Sequence, residues 1–582
     1  MNIQPLANES GIEIIDPIEK TRYVLHTPEP VSLTPVEAEG LDFPVEKAVE
    51  LQTSAIIRQK GSYTFIRDDD FSVVFDSNEA SAIERLPSDM YCVEVGGTPM
   101  KIYFSVTSSI VFEQSNSTSK FKFGSEQRVV VGARSRHKTP AGTISVTDDT
   151  EDVMQAMSLL GSSVKTGSPE RSFPTLRGHP PLIERGDEFH VPESVEEPTT
   201  NATLVLPSKR KYLYPATPLA FYLGASIEAG NSPRLVVGDF EYDLLHHDTY
   251  ERTVERVFQQ AFFLDCLTRT NGLYPVTLHE RELVKGNIDL DFESLYGASV
   301  SERLDEYLDV PFDALEPAMP TWHLAVDMVP ATKNVELLPF LANSLALIRT
   351  ANPPTTPKPM AEAAESMTDF YRETYSEPDF PPNGEQISSS HIFELAGETD
   401  TKEPAWVGPG YPLQWNKLTH ASLYRSAVRS ERFDATDSTI DIEIVCNDPS
   451  MENESDVIRY YDLRDLPQFD VSVHHRTTMA ELVELLGTQS DFFHYIGHIS
   501  DDGIRCVDGY LDAESLAEVN AKTFLPNACS SYEQGSTLIE RGVVPRQRSL
   551  RSRKSATLLR RISAKHSSGC SVSDLRSELR CR

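Results

Sequence analysis

Two short apolar runs, residues 492–497 and 523–528, limit what this chain can fold into more than any other feature. The first ends at His498 and the second at Cys529. The run 492–497 is aromatic and β-branched, as expected of a strand buried on both faces. Between the runs, "GIRCVDGY" carries a hairpin-type turn at Asp508-Gly509, and Asp512 suits the N-cap of a helix reaching about Asn520, with Leu516 and Val519 inward. Strand, helix and strand in one compact unit make a βαβ crossover, and the separation 529 − 498 = 31 residues fits it. The strands are then parallel, and an open parallel sheet binds ligands beyond the carboxyl ends of its strands, where both residues fall. Neighbouring strands lie roughly 4.8 Å apart, which brings a thiol and an imidazole within working reach.

That placement suggests a cysteine nucleophile. Only the thiolate attacks well, so a catalytic thiol needs an imidazole, a helix N-terminus or both to lower its pKa. Cys529 has His498 as a candidate partner and a helix-compatible "SSYEQGSTLIER" behind it, whose dipole would favour the thiolate. The backbone N–H groups of Ile499 and Cys529 are candidates for an oxyanion hole. Two other readings stand beside this one. A cysteine ending an apolar run is commonly a small buried hydrophobe. His494 and His498, four apart, offer a zinc set with Cys506 and Cys529, although no CxxC pair accompanies them.

At "HYIGH" (494–498) and "NACSSYEQG" (527–535) the sequence resembles the CHAT family of cysteine peptidases related to caspases and separase, and the likeness extends back to about Thr439. The resemblance implies a caspase-like three-layer α/β sandwich with a mostly parallel sheet. It implies His498 as general base and Cys529 as nucleophile, cleaving a polypeptide substrate without metal or cofactor, under the control of an attached sensor region. Ile499 stands where the family usually has glycine, and Pro526 lies in the strand leading to Cys529. The same fold without an activated thiol would be a binding or scaffold module.

A chain of 582 residues exceeds what one core normally holds, so two to four domains are expected. Lys plus Arg total 54 against 88 Asp plus Glu, and only 18 of the bases are lysine. That balance suits a cytoplasmic protein of a salt-loving archaeon, where strong salt screens self-repulsion. It argues against nucleic acid as a partner of the acidic body. Seven cysteines without a framework spacing fit a reducing compartment. No apolar run of about 18 residues and no basic-then-apolar leader is visible, so neither a membrane span nor a membrane partner is expected.

Along the chain, residues 1–42 read as an irregular lead-in, and 43–140 as an antiparallel β-rich domain, with "SYTFI", "FSVVF", "YCVEV", "KIYFSV" and "RVVVG" bounded by turns. Residues 141–203, rich in Ser, Thr, Pro and Glu, read as a linker. Residues 204–350 read as an α+β, mostly helical domain. Its clearest helix spans 250–270 with Val254, Val257, Phe258, Ala261 and Phe262 on one face, and further helices are predicted at 301–308 and 336–349. Ten prolines between 353 and 412 make 351–437 a linker or irregular wrap. The peptidase-like domain, 438–541, opens with a strand at 439–447 that turns Ile440, Ile442 and Ile444 one way. A strand at 469–475 follows, and then a helix at 478–486 with Met479, Leu482, Leu485 and Leu486 inward. His474 and His475 also fall at a carboxyl strand end. The N-terminal regions are the expected place for a protein regulator to act.

From Arg541 to Arg582 there are 12 Lys plus Arg and 2 acids, a net of +10, against 42 − 86 = −44 for the first 540 residues. This Ser/Arg-rich tail, 542–582, reads either as a basic arm for nucleic acid or an acidic partner, or as a shifted reading frame that truncates the domain; the abrupt break in composition favours the second.

Overall fold

The computed structural model describes, apart from short interruptions, residues 1–351, 392–393, 401–418, 440–447 and 469–541. The basic tail and most of the proline-rich stretch lie outside the described residues. The chain forms two compact units, Met1–Thr321 with Pro330–Ile348, and Trp322–Val329 with Arg349–Arg582.

In the first unit the period-two runs pair into one ten-stranded antiparallel sheet. Its longest strands lie in the spatial order Lys47–Gln59, Thr118–Arg134, Lys101–Gln114, Ile83–Gly96. Alternation along them drives one face inward, and Val93, Val95, Ile102, Phe104, Ile110, Phe112, Phe121, Val129 and Val131 form its core. Register shifts between Lys122 and Gln127 and between Leu86 and Asp89 mark bulges that bend these long strands.

Residues 1–42 are not an irregular lead-in. Asn2–Pro5, Gly11–Asp16 and Thr21–His26 form a meander at one edge of this sheet and bring Ile12, Ile14 and Leu25 into its core. These strands are short, and partner strands supply what propensity lacks. Gly11 is required where it stands: at φ 139°, a Cβ there would lie 2.3 Å from the Leu25 carbonyl oxygen.

The 141–203 segment is not a linker either. Thr143–Val146 pairs in parallel with Leu182–Arg185, and the helix Thr150–Ser158 buries Val153, Met154, Ala156 and Met157. Short 3₁₀ turns then carry Glu170 and Arg171, each 1 % exposed. The polar composition that suggested a solvated linker is instead buried in pairs: the Arg171 Nε donates to Asp265 at 2.8 Å.

The long helix is found at Tyr250–Thr268, capped by the Thr249 side chain, with Val254, Val257, Phe258 and Ala261 buried. Phe262 is only half-buried and packs on the Tyr222 ring. A complete capping box of Ser299 and Glu302 starts the helix Val300–Asp309. The helix predicted at 336–349 is absent. That stretch divides into a 3₁₀ turn, a short helix Leu338–Asn343 and the strand Leu347–Thr350, with Leu345 between them in the left-handed region at φ 51°.

In the second unit, part of the proline-rich stretch is a strand rather than a linker. Thr401–Val407 pairs in parallel with Trp322–Met328 and buries Trp406 completely, its indole N–H donating to the Pro409 carbonyl at 3.2 Å. A separate four-stranded sheet, in the order Phe469–His475, Ile440–Cys446, Phe492–Ile496, Phe524–Asn527, is parallel throughout. The helix Met479–Gly487, started by a Thr478/Glu481 capping box, presses Leu482 and Leu486 onto the face that carries Val445, Phe493 and Tyr495. Leu538 of the helix Tyr532–Arg541 joins the same cluster. The chain is therefore a mixed α/β protein with an antiparallel N-terminal sheet and a parallel C-terminal one. No helix among the described residues is long and apolar enough to cross a membrane.

Candidate functional site

The site is built at the carboxyl end of the parallel sheet. Phe492–Ile496 is buried as a near-continuous run between two parallel neighbours, Ile440–Cys446 and Phe524–Asn527. His494 pairs with Leu525, and Ile496 with Asn527. The chain leaves this strand at Gly497 and presents His498 to solvent.

The connection to the next strand differs from the predicted helix. Ile499–Ser500, Gly503–Cys506 and Gly509–Leu511 make a small three-stranded antiparallel sheet, turning at Val507 and Asp508. After it, Asp512 caps only the 3₁₀ turn Ala513–Ser515. A helix fails here because its backbone donors go elsewhere. Val519 N–H binds the Arg541 carbonyl at 3.3 Å and Asn520 N–H the Leu486 carbonyl at 2.8 Å, while the Ala513 N–H, which a helix would leave unpaired, binds the Gln534 side chain at 2.7 Å. Leu516 and Val519 are nevertheless buried as expected.

These bonds also seat the Tyr532–Arg541 helix, since Gln534 and Arg541 lie on it; the Arg541 guanidinium donates to the Glu514 carbonyl at 2.8 Å. Pro526 is tolerated because its strand, within the described sheet, is an edge. Residues 528–531, and with them Cys529 as nucleophile and oxyanion donor, lie outside the described residues.

Around His498 a polar network fixes the backbone. The His498 carbonyl accepts the Arg505 N–H at 2.9 Å, and the Tyr495 hydroxyl, whose one proton it shares with the Arg505 carbonyl, lies 3.2 Å away. The Arg505 carbonyl accepts the same hydroxyl at 2.6 Å and the Asn447 side-chain amide at 3.0 Å. Asn447 in turn accepts the Thr477 N–H at 2.7 Å and its hydroxyl at 2.9 Å. Neither Asn447 nor Tyr495 was singled out from sequence; the signal available was that Asn447, like His498, directly follows an apolar run at a carboxyl strand end. Ile499 has extended backbone and a buried side chain, so the absence of glycine there imposes no strain.

The zinc set does not assemble among the described residues. His494 aligns with Ile444 on one face of the sheet, whereas Cys506 packs with Val445 and Tyr495 on the other, and His498 is exposed beyond the strand. No group of three or more His, Cys, Asp and Glu among the described residues is placed to hold a metal. Burial, with Asp508 nearby, pushes the Cys506 thiol up to about 11, the behaviour of an inert buried cysteine. His474 is bound to Glu443 at 2.6 Å, and His475 is exposed.

His494 is 1 % exposed, and burial pushes its imidazole down to about 4. A histidine whose folded value lies below its unfolded one, roughly 6.5, favours the folded state fully only above about pH 6.5, and that contribution is lost as pH falls toward the folded value. Urea melts followed by tryptophan fluorescence report the second unit, because Trp322, Trp406 and Trp415 all lie in it. Between pH 7 and pH 4.5 the midpoint should fall further for the native chain than for His494→Leu. Equal pH sensitivity of the two chains would refute the assignment.

The fold and site define an open parallel α/β sheet with a histidine at its carboxyl edge. Comparison with known protein families, curated proteins and solved structures finds no match to this chain.

Proposed function

We propose that residues 438–541 are a caspase-like cysteine endopeptidase domain, a three-layer α/β sandwich working in the cytoplasm on a polypeptide substrate under the control of the N-terminal regions. The observation that carries this reading is the register of the two strands. Ile496 is paired with Asn527, and His498 and Cys529 each follow their member of that pair by two residues. Parallel neighbours with this register finish at the same end of the sheet. The helix Tyr532–Arg541, held in place by Gln534 and Arg541, begins three residues after Cys529. In this reading His498 takes the thiol proton, the thiolate adds to the scissile carbonyl, and the imidazolium then protonates the leaving amine. The scheme needs neither metal nor cofactor.

The test is labelling of the full chain, in molar potassium chloride, with a peptidyl acyloxymethyl ketone, comparing the native protein with Cys529→Ala and His498→Ala. Labelling confined to Cys529 and slowed at least about a hundredfold by His498→Ala, the scale of a lost general base, supports the dyad. A folded native protein whose Cys529 labels no faster than its other cysteines sinks the peptidase reading and leaves the binding or scaffold module.

A further inference from the structure

We propose that Tyr495 is a positioning residue whose hydroxyl clamps the His498–Ile499 peptide so that the Ile499 N–H is held as an oxyanion donor. The inference rests on the peptidase reading and adds to it a residue and a device. Tyr495 has no exposed surface, and its single hydroxyl proton is shared between the Arg505 carbonyl at 2.6 Å and the His498 carbonyl at 3.2 Å, bridging the two carbonyls rather than binding one alone. The approach depends on the residue between Ile496 and His498: a Cβ on Gly497 would lie 2.6 Å from that hydroxyl oxygen. Glycine at 497 therefore lets the phenol reach the carbonyl one residue further on. Arg505 adds its own N–H to the His498 carbonyl at 2.9 Å, and Asn447 steadies Arg505 from behind at 3.0 Å.

A pinned carbonyl fixes its whole peptide plane. In a trans peptide the C=O of His498 and the N–H of Ile499 lie in one plane and point in opposite directions. Ile499 faces Ile504 in the hairpin, and the bond from Arg505 N–H to His498 C=O makes this a non-hydrogen-bonded pair. The Ile499 N–H thus points away from Ile504 and takes no part in this ladder. Clamping one side of the plane preorganises the donor on the other, which is what an oxyanion hole requires.

The test compares two reagents on the full chain, with Cys529 modification followed by mass spectrometry. With iodoacetamide the thiolate displaces iodide at a saturated carbon, and no oxyanion forms. With p-nitrophenyl acetate the thiolate adds to the carbonyl and its oxygen becomes anionic. The bond to p-nitrophenolate then breaks, leaving an acetyl thioester on Cys529. Tyr495→Phe should slow acetylation by about tenfold, less than the hundredfold or more for outright loss of a hole donor, while alkylation stays within about twofold of native. Gly497→Ala should give the same split by displacing the phenol.

Two results would overturn the inference while leaving the dyad in place: acetylation at the native rate in Tyr495→Phe, or both rates falling together as in a merely structural role. A native protein whose Cys529 is alkylated no faster than its other cysteines removes the peptidase reading, and this inference with it. The native control distinguishes the two kinds of failure.

Discussion

Asp265→Ala should destabilise the first unit by about 3–5 kcal/mol, the usual cost of removing one partner from a buried ion pair. Asp265 has no exposed surface and is surrounded by donors. The Arg171 Nε and the Tyr222 hydroxyl reach one carboxylate oxygen at 2.8 and 2.7 Å, and the Tyr307 hydroxyl and the Arg303 Nε reach the other at 3.3 and 3.4 Å. Both guanidinium groups are 1 % exposed, so without the carboxylate two cations remain in the core. Burial alone would lower the Arg171 pKa, but Asp265 and Tyr222 outweigh it and hold the group above its ordinary value. Loss of the aspartate reverses that balance. Urea unfolding in molar potassium chloride, followed by far-ultraviolet circular dichroism, should show a lower midpoint at nearly constant slope. Asp265→Asn, which keeps the shape and one acceptor, should fall between the two. A loss below about 1 kcal/mol for the alanine variant would mean that water reaches the cluster and that it is no hub.

Asp265 also shows why parts of this fold were legible in the sequence and parts were not. Where apolar periodicity carries the fold, residues suffice: the runs of the N-terminal sheet, the helix that presses Leu482 and Leu486 inward and the two apolar strands around His498 all read directly. Where polar groups carry it, they do not. Arg171 sits in a stretch that looks solvated, and nothing local reveals that its partner is 94 residues away. The predicted helix after Asp512 fails for a related reason, since the donors of Val519 and Asn520 are claimed by Arg541 and Leu486 from elements brought close only by the fold. The strand register that supports the site was readable in outline, because two apolar runs about thirty residues apart imply parallel neighbours. The clamp on His498 was not, because Tyr495 and Asn447 resemble ordinary strand and turn residues until their bonds are seen.

Asn447→Ala should cost the second unit about 2–4 kcal/mol, because it removes several buried bonds and strands donors and acceptors that water cannot reach. Asn447 ties together three segments that meet at the carboxyl end of the sheet. Its backbone N–H binds the Ile496 carbonyl at 2.9 Å, at the end of the strand that delivers His498. Its side-chain oxygen holds Thr477, which follows the Phe469–His475 strand, and its amide holds Arg505 in the hairpin. Asn447→Asp keeps the acceptor for Thr477 but turns an anion toward the Arg505 carbonyl, so it should not rescue. Tryptophan fluorescence against urea measures the loss, and a shift under about 0.5 kcal/mol would show that the three segments hold without it. The same variant separates architecture from chemistry. If the network orients the His498–Ile499 peptide, Cys529 acetylation in the folded fraction should slow more than alkylation, in the sense expected for Tyr495→Phe. Equal slowing of both reactions would make Asn447 a bolt of the fold with no share in the oxyanion hole.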